Sequence, residues 1–358
     1  MTPSNRGGSK KTSVVDADVH VQESAEALEE YCEQPWDVAL RDLKQESSGL
    51  LTPPVAVVYE PPFNRGQPDR TVKSPSQLKK DLDGLGIDKC IIFPDELLTV
   101  GMLPSHDYAM ALVRAYNRWL VKRWLGGSLF GALCTAPQDP VGSADEIRRF
   151  ANCSHIACVV LPTAGIYPLY GHRWYEPIYE AAEKAKLPVA LHSAGVVHPV
   201  FPFNLEQFET MFAKHAIAHP FSLAANLVHM ITNGVPLRFP NLRIAFIEGG
   251  ISWVPWIMMR LDKEYVARRR QVPFLKERPS DYIRKFRFGS QPIEEPEKTS
   301  DYAKTLELMG GPELVMFASD WPHFDFDHPR KLMSYPLSEN AKEMIMSGNA
   351  TKFFSRIR

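Results

Sequence analysis

The chain has 358 residues, of which 44% are hydrophobic and 23% charged, a balance that is ordinary for a globular protein. A formal net charge of −1 and a pI of about 6.8 argue against a polyanionic partner, so no nucleic acid is expected. No run of roughly 18 apolar residues occurs, which excludes a predicted membrane span. The five cysteines have no disulfide or zinc spacing, so we expect reduced, mostly buried thiols. Residues 1–12 are polar and basic without an apolar centre, which predicts a disordered tail and a cytoplasmic protein rather than a signal peptide.

Short apolar strands alternate with helices along the rest of the chain. A strand over 13–20 is followed by a Pro-, Glu- and aromatic-rich insertion over 22–71, and Ser74 and Pro75 then predict the start of a helix over 74–84. The later strands are predicted over 88–94, 129–134, 156–161, 188–192, 242–248, 286–290 and 314–320. The helices between them are predicted over 106–125, 143–151, 174–186, segments of 205–234, 253–270 and 302–309.

Eight strand–helix units of this length predict an α/β fold, a TIM (β/α)₈ barrel, with an inserted loop region after strand one. The continuous apolar strands are typical of a parallel sheet that is covered on both faces. Neither a Gly-x-Gly-x-x-Gly sequence after the first strand nor a Walker loop is present, so nucleotide-binding folds lack their fingerprint. We expect one barrel domain over 13–358, with 22–71 as a lid-like insertion.

Ionisable residues stand at the predicted carboxyl ends of several strands. They are Asp18 and His20 after strand one, His192 after strand five, Glu248 after strand six and Asp320 after strand eight. Active sites of such barrels lie at this end, and buried ionisable groups are usually paired or bound to metal. Two imidazoles with carboxylates suit a divalent ion, zinc first and then manganese or iron.

Four segments carry a resemblance to a known family. They are 16–20 (DADVH), 187–192 (LPVALH), 238–250 (RFPNLRIAFIEGG) and 318–323 (ASDWPH). The chain resembles the amidohydrolase superfamily, and within it the amidohydrolase-related branch that includes aminocarboxymuconate semialdehyde and resorcylate decarboxylases. The resemblance extends from about residue 13 to 354.

The resemblance implies a single divalent metal ion held by Asp18, His20, His192 and Asp320. Many members have His-x-His in the first strand, whereas this chain has an acid in the first position, as some decarboxylases do. By resemblance, Asp320 also transfers protons. The carboxylated lysine of two-metal hydrolases is missing after strand four, where residues 161–165 read LPTAG.

Glu248 departs from the pattern, because decarboxylating relatives have a catalytic His at the end of strand six. A carboxylate cannot act as a cationic donor, but it could be a general base, a partner for a substrate amine or a ligand to a second cation. His219 could supply the missing imidazole as a catalytic residue, or it could be a helix-capping or core residue. With His198, these residues could build a second metal site.

Trp253 and His323 are predicted to contact the substrate, since they follow strands six and eight directly, although His323 could equally support Asp320. Trp256 is expected in the core because of its helical spacing. The insertion could cover the mouth, and an arginine there could bind a substrate carboxylate as a bidentate pair. Its candidate residues are Tyr59, Phe63, Arg65 and Arg70.

The leading hypothesis is a metal-dependent hydrolase or non-oxidative decarboxylase of a small carboxylated or cyclic molecule, with Asp320 as the proton-transfer residue and Glu248 assisting. One alternative is a dinuclear iron or manganese oxygenase in which Glu248 is an extra ligand. Another is an inactive barrel subunit of a hetero-oligomer. Members of the family often assemble, so a homodimer or another oligomer is expected.

Overall fold

A sheet of eight parallel strands forms the centre of the protein in a computed structural model, which describes residues 12–46, 70–194 and 208–357. The strands are β1 Val15–His20, β2 Lys89–Phe93, β3 Leu129–Leu133, β4 Ile156–Pro162, β5 Val189–His192, β6 Ile244–Ile247, β7 Arg287–Gly289 and β8 Val315–Met316. Each pairs with the next in chain order. The chain after β8 returns to β1, where Ala17 N–H donates to Phe317 O at 2.9 Å and Val19 bridges Trp321. The predicted TIM barrel is therefore confirmed.

The strands are buried on both faces, as their apolar runs predict. Every residue of β1, β3, β4, β5 and β6 is buried. Parallel strands with helices outside and side chains inside have no face for solvent, so their sequences lose the alternation that a half-exposed strand would show. The hydrophobic core therefore lies on both faces of the sheet, inside the barrel and between the strands and the helices.

Strand eight is much shorter than the predicted 314–320. After Met316 the ladder stops, and Phe317 N–H donates instead to Ile345 O at 2.9 Å. Residues 317–320 remain buried, so the apolar sequence correctly indicates burial. Burial alone cannot distinguish a strand from an irregular segment packed beneath a helix.

The described residues contain fourteen α-helices, which surround the barrel and cross its ends. They are α1 Ala25–Glu29, α2 Trp36–Glu46, α3 Pro75–Leu85, α4 His106–Trp119, α5 Pro140–Phe150, α6 Glu176–Lys184, α7 Met211–Thr232, α8 Val235–Arg238, α9 Trp253–Arg268, α10 Pro279–Ile283, α11 Ser300–Met309, α12 Pro329–Ser334, α13 Glu339–Glu343 and α14 Asn349–Phe353. Short 3₁₀ turns cover Glu96–Met102, Arg173–Tyr175, Arg269–Gln271 and Pro312–Leu314, and π turns cover Leu120–Trp124 and Met344–Gly348.

Local signals set several of these helix ends. Ser74 accepts a hydrogen bond from Gln77 N–H at 3.2 Å, so the predicted N-cap of α3 is confirmed. Helix α5 starts earlier than the predicted 143, because Asp139 caps it through Gly142 N–H at 2.8 Å. Within the described part of the predicted segments of 205–234 there is one helix, α7, which continues through Pro220, and the short α8 follows directly after this range.

Other expectations are partly met. The insertion 22–71 contains α1 and α2, while 47–69, with Tyr59, Phe63 and Arg65, lies outside the described residues. All five cysteines are free, and Cys32 and Cys153 are only partly buried. The expectation for Trp256 is wrong: it lies on the outer face of α9 and is 52% exposed. No helix among the described ranges is both long and apolar enough to cross a bilayer.

Candidate metal centre and adjoining cavity

The four side chains predicted as metal ligands meet at the carboxyl end of the barrel. Asp18 Oδ1 lies 3.2 Å from His20 Nε2 and 3.0 Å from His192 Nε2. Asp320 Oδ1 lies 3.1 Å from His20 Nε2. All four side chains are at most 1% exposed. The ends of β1 and β5 and the segment after β8 thus bring the predicted set together.

The hydrogen bonds of the two imidazoles prepare their Nε2 atoms to bind a cation. His20 Nδ1 is 2.8 Å from Pro94 O, and His192 Nδ1 is 2.8 Å from Ser193 O. A carbonyl oxygen only accepts, so Nδ1 carries the proton and Nε2 presents a lone pair in each neutral ring. Such outer hydrogen bonds typically orient metal-binding histidines.

The residues fit a metal ion because their lone pairs face one another. Both Nε2 atoms are directed at Asp18 Oδ1, which can only accept. Among the described residues, His20 Nε2 and Asp18 Oδ2 are buried without a hydrogen-bond partner. A divalent cation would satisfy these atoms together, and two imidazoles with two carboxylates suit zinc, manganese or iron.

Two groups of three side chains have metal-ligand geometry within the described part of the chain, and they share His20. One contains Asp18, His20 and His192, and the other contains His20, Asp320 and His323. In each group, one donor atom per residue lies within 4.8 Å of the others. His323, predicted to contact substrate, therefore lies beside the predicted ligands.

Electrostatics reinforces this arrangement. Burial alone would lower the pKa of His20, but Asp18 and Asp320 raise it well above its usual range. Burial would raise the pKa of Asp320, but His323 and His20 hold it below its usual range. The site therefore attracts positive charge, which a proton or a metal ion can supply.

A chain of hydrogen bonds leads outward from Asp320. His323 Nδ1 lies 2.6 Å from Asp320 Oδ1, and His323 Nε2 lies 3.4 Å from Asp95 Oδ1. Although burial lowers the pKa of His323, the two carboxylates, Asp320 foremost, raise it to about 10. His323 is therefore held between two acids that favour its protonated form.

The backbone fixes Asp320 and Glu248 in left-handed conformations, with φ of 62° and 63°. For a non-glycine residue this costs about 1–3 kcal/mol and is common at functional sites. Asp320 N–H donates to Asp18 O at 3.0 Å. Asp16, on β1, accepts from Asp18 N–H at 3.1 Å and Ser319 N–H at 2.9 Å. These hydrogen bonds fix the register between β1 and the segment after β8.

Glu248 lies beside His192 at the edge of the cluster, and His219 lies next to Glu248. Glu248 Oε2 lies 3.3 Å from both His192 Nδ1 and His219 Nδ1. Burial, aided by Asp320, raises the pKa of Glu248 to about 8, and burial lowers the pKa of His219. No group of three ligands includes either residue within the ranges described, and His198 lies outside those ranges.

A cavity of about 310 Å³ adjoins the cluster and is lined by Glu248, His219 and Trp253. The predicted position of Trp253 at the pocket wall agrees with this geometry, and its Nε1–H donates to Gly250 O at 3.1 Å. Gln291 and Glu294, which follow β7, also line the cavity. The cavity is large enough for a small ring-containing molecule.

Several polar residues of the site were not predicted from the sequence. Asp95 and Gln291 each come two residues after a strand, so the strand-end argument could have found them. Glu23 and Glu294 had no such signal. The carboxylate of Glu23 accepts Asp95 N–H at 3.1 Å and Leu97 N–H at 2.7 Å, which fixes the segment that carries Asp95.

Arg70 is the one described residue among the candidate lid residues. Its guanidinium lies 5.2 Å from the ring centre of Phe326, in the loop that follows β8. The end of the insertion therefore contacts a mouth loop, and the predicted role of an arginine in binding a carboxylate stays a prediction.

Comparisons with known proteins give the family. A model of the amidohydrolase family matches residues 16–356. A 2-amino-3-carboxymuconate-6-semialdehyde decarboxylase of Dictyostelium discoideum is 28% identical over 182 residues, which is 49% of this chain and 47% of that protein. The chain thus matches about half the length of this curated relative.

Solved structures give the same architecture. The 5-carboxyvanillate decarboxylase of Sphingomonas paucimobilis superposes with a TM-score of 0.73 at 22% identity, over 96% of this chain and 99% of that one. The 5-carboxyvanillate decarboxylase of Novosphingobium aromaticivorans, solved with manganese and 4-hydroxy-3-methoxy-5-nitrobenzoic acid, has a TM-score of 0.71 at 20% identity, over 98% and 97% of the two chains. At these identities the likeness establishes the barrel.

The chain belongs to the amidohydrolase family, because the family model covers nearly all of it. The predicted resemblance and the predicted enzyme class are therefore confirmed. Within that family it is similar to decarboxylases both in sequence and in fold.

Proposed function

We propose that this protein is a metal-dependent, non-oxidative decarboxylase of a small carboxylated molecule. The observation that carries the proposal is the buried group of Asp18, His20, His192 and Asp320, in which His20 Nε2 has no hydrogen-bond partner among the described residues. The similarity to decarboxylases supports the choice of reaction.

The four residues would hold one divalent ion, for which zinc and manganese are the candidates to test. Zinc suits the donor set, and manganese is bound in a similar decarboxylase structure. When bound, the ion supplies a positive charge that orients the substrate and stabilises the electron pair left when CO₂ departs. Asp18 and His192 then serve to fix the ion.

The proton that replaces CO₂ comes from His323 by way of Asp320. His323 Nδ1 donates to Asp320 Oδ1 across 2.6 Å, and Asp95 lies 3.4 Å from the other nitrogen. Loss of CO₂ leaves an electron pair on the substrate carbon, and transfer of this proton forms the new C–H bond. Gln291 Nε2, 3.3 Å from Asp320 Oδ2, holds this carboxylate in a fixed orientation.

Glu248 and His219 position the substrate. Glu248 stands where decarboxylating relatives have a His, and burial raises its pKa to about 8. In its protonated form a carboxyl group donates a hydrogen bond, as a protonated imidazole would. Glu248 can therefore hold a substrate oxygen, and His219 Nδ1 lies 3.3 Å from Glu248 Oε2.

A solvent-isotope experiment tests the reaction type. The protein, loaded in turn with Zn²⁺ and Mn²⁺, is incubated in D₂O with a panel of hydroxy- and aminobenzoates, and NMR follows deuterium incorporation at the vacated carbon. We expect CO₂ release with one deuterium per product and without O₂. Asp320→Asn should lower the rate by about 100-fold or more, because it removes the acceptor of the His323 proton. The exposed Asp301→Asn is the matched control.

The alternatives give different results. Incorporation of ¹⁸O from labelled water into the product of a cyclic ester or amide would indicate a hydrolase. A strict need for O₂ and two ions per chain would indicate the dinuclear oxygenase. Turnover that Asp320→Asn leaves unchanged would indicate a barrel that has no catalytic role. Each of these results contradicts the proposed decarboxylation.

A further inference from the structure

Two lining residues of the 310 Å³ cavity carry polar atoms that have no hydrogen-bond partner among the described residues. Gln291 is 1% exposed, and its amide nitrogen donates to Asp320 Oδ2 at 3.3 Å. A carboxylate can only accept, so this contact fixes the orientation of the amide and leaves Oε1 as an acceptor. Within the described part of the chain, Gln291 Oε1 has no hydrogen-bond partner.

Glu294 presents a second free acceptor to the same cavity. Its Oε1 accepts Ile251 N–H at 2.9 Å and Ser252 N–H at 2.7 Å, which fixes the carboxylate. Gly250, with φ of 62°, allows this approach, since a Cβ there would lie 2.5 Å from Glu294 Oε1. Glu294 Oε2 is buried, and it has no partner among the residues described.

The charge of the cavity matches these acceptors. The lining residues that the structure describes include three acidic side chains, Glu248, Glu294 and Asp325, and neither Lys nor Arg. An unpaired buried acceptor is unfavourable until a donor satisfies it. A second carboxylate on the substrate would find neither Lys nor Arg among the described lining residues and would face Glu294. Trp253 and Pro292 supply apolar wall beside these groups.

We propose that Gln291 Oε1 and Glu294 Oε2 form a specificity subsite that binds an amino or hydroxyl group of the substrate and rejects a second carboxylate. This inference rests on the proposed function, since it places the carboxyl group that is lost at the metal cluster. The subsite lies beside Asp320 Oδ2, whereas His20 and His323 contact Asp320 Oδ1. It determines which small carboxylates bind in the productive orientation.

Equilibrium binding to the manganese-loaded full chain tests the subsite. The probes are benzoate, 3-aminobenzoate and isophthalate, measured by titration calorimetry. We expect 3-aminobenzoate to bind about tenfold more tightly than benzoate, the change expected for one added hydrogen bond to a charged group, and isophthalate to bind more weakly than benzoate.

Glu294→Gln converts the free acceptor into a donor while its Oε1 can still accept the two backbone N–H groups. The variant should lose the preference for 3-aminobenzoate and gain affinity for isophthalate by about tenfold. Glu295→Gln is the matched control, because Glu295 is 75% exposed and pairs with Lys331 instead. Its selectivity should equal that of the wild type.

The outcomes separate the two proposals. Normal manganese content with no preference for 3-aminobenzoate over isophthalate in the wild type would overturn the subsite and leave the metal-dependent reaction intact. The same holds if none of the probes binds, or if Glu294→Gln and Glu295→Gln behave alike. Failure of CO₂ release in the isotope experiment, with the expected reversal of probe selectivity, would overturn the reaction and leave the subsite intact.

Discussion

The raised pKa of Glu248 contributes to the pH dependence of the stability of the metal-free protein, and Glu248→Gln should remove that contribution. Burial and the neighbouring Asp320 raise the pKa of Glu248 from 4.5 to about 8. The folded protein therefore keeps this proton at a pH where the unfolded chain has lost it. Stability from this group is fully present below about pH 4.5 and is lost as the pH rises toward 8.

The size of the effect follows from the shift. The difference between about 8 and 4.5 is 3.5 units, and at about 1.4 kcal/mol per unit this gives at most about 5 kcal/mol. Glutamine has the shape of the protonated acid and does not ionise. Glu248→Gln should therefore gain relative stability over the wild type by several kcal/mol between about pH 5.5 and about pH 8.5.

Calorimetric unfolding of both proteins after chelation measures this difference, with Glu295→Gln as the control at an exposed carboxylate. The thermal midpoint of Glu248→Gln minus that of the wild type should increase with pH, and Glu295→Gln should show no such trend. A difference that stays constant across the range would show that Glu248 is ionised at all these values, and the reasoning would be refuted.

Three further predictions concern the ion, the proton carrier and the scaffold. Adding Mn²⁺ at about 1,000 times its dissociation constant should raise the free energy of unfolding of the chelated protein by about 4 kcal/mol, and an unchanged thermal midpoint would contradict a site in the folded state. Asp95→Asn should lower the pKa of His323 from about 10, because one of the two flanking charges is lost; NMR titration of the ring measures this, and an unchanged value would contradict the contact at 3.4 Å. Asn117→Ala should destabilise the protein by about 2–6 kcal/mol, because its amide satisfies both Cys134 N–H at 2.8 Å and Cys134 O at 3.2 Å, and leaving each unpaired costs about 1–3 kcal/mol. Urea unfolding without loss of stability would show that water replaces the amide.

The barrel, and the convergence of side chains at the ends of its strands, could be predicted from the sequence because both depend on periodic, local information, whereas the choice of Asp18, His20, His192 and Asp320 as ligands came from the family resemblance and stays a prediction. Apolar runs predict strands, the count of strand–helix units predicts closure, and closure brings the ends of distant strands together. Asp18 and His192 are 174 residues apart in the chain, yet Asp18 Oδ1 lies 3.0 Å from His192 Nε2 because both residues stand at strand ends of one barrel. The same argument applies to Asp95 and Gln291, each of which comes two residues after the end of a strand.

The remaining features depend on tertiary geometry. No local pattern indicates that Glu248 and Asp320 adopt φ near 60°, because the strain is offset by contacts from other segments. Glu294 Oε2 has no hydrogen-bond partner among the described residues, and the two backbone N–H groups that orient the carboxylate through Oε1 come from a distant loop. The exposure of Trp256 likewise depends on which face of α9 turns to the barrel, and a helix with apolar residues on several sides does not specify that face.

Metal binding by the strand-end cluster is the central claim, and stoichiometry tests it most directly. The purified chain is stripped with a chelator, reloaded with Zn²⁺ or Mn²⁺, desalted and measured by elemental analysis beside the double variant Asp18→Ala, His192→Ala. The wild type should retain about one ion per chain and the double variant about a tenth of that or less, because the variant loses two of the four donor side chains. A wild type that retains no ion, or a double variant that retains as much as the wild type, would contradict the assignment of Asp18, His20, His192 and Asp320 as the metal centre.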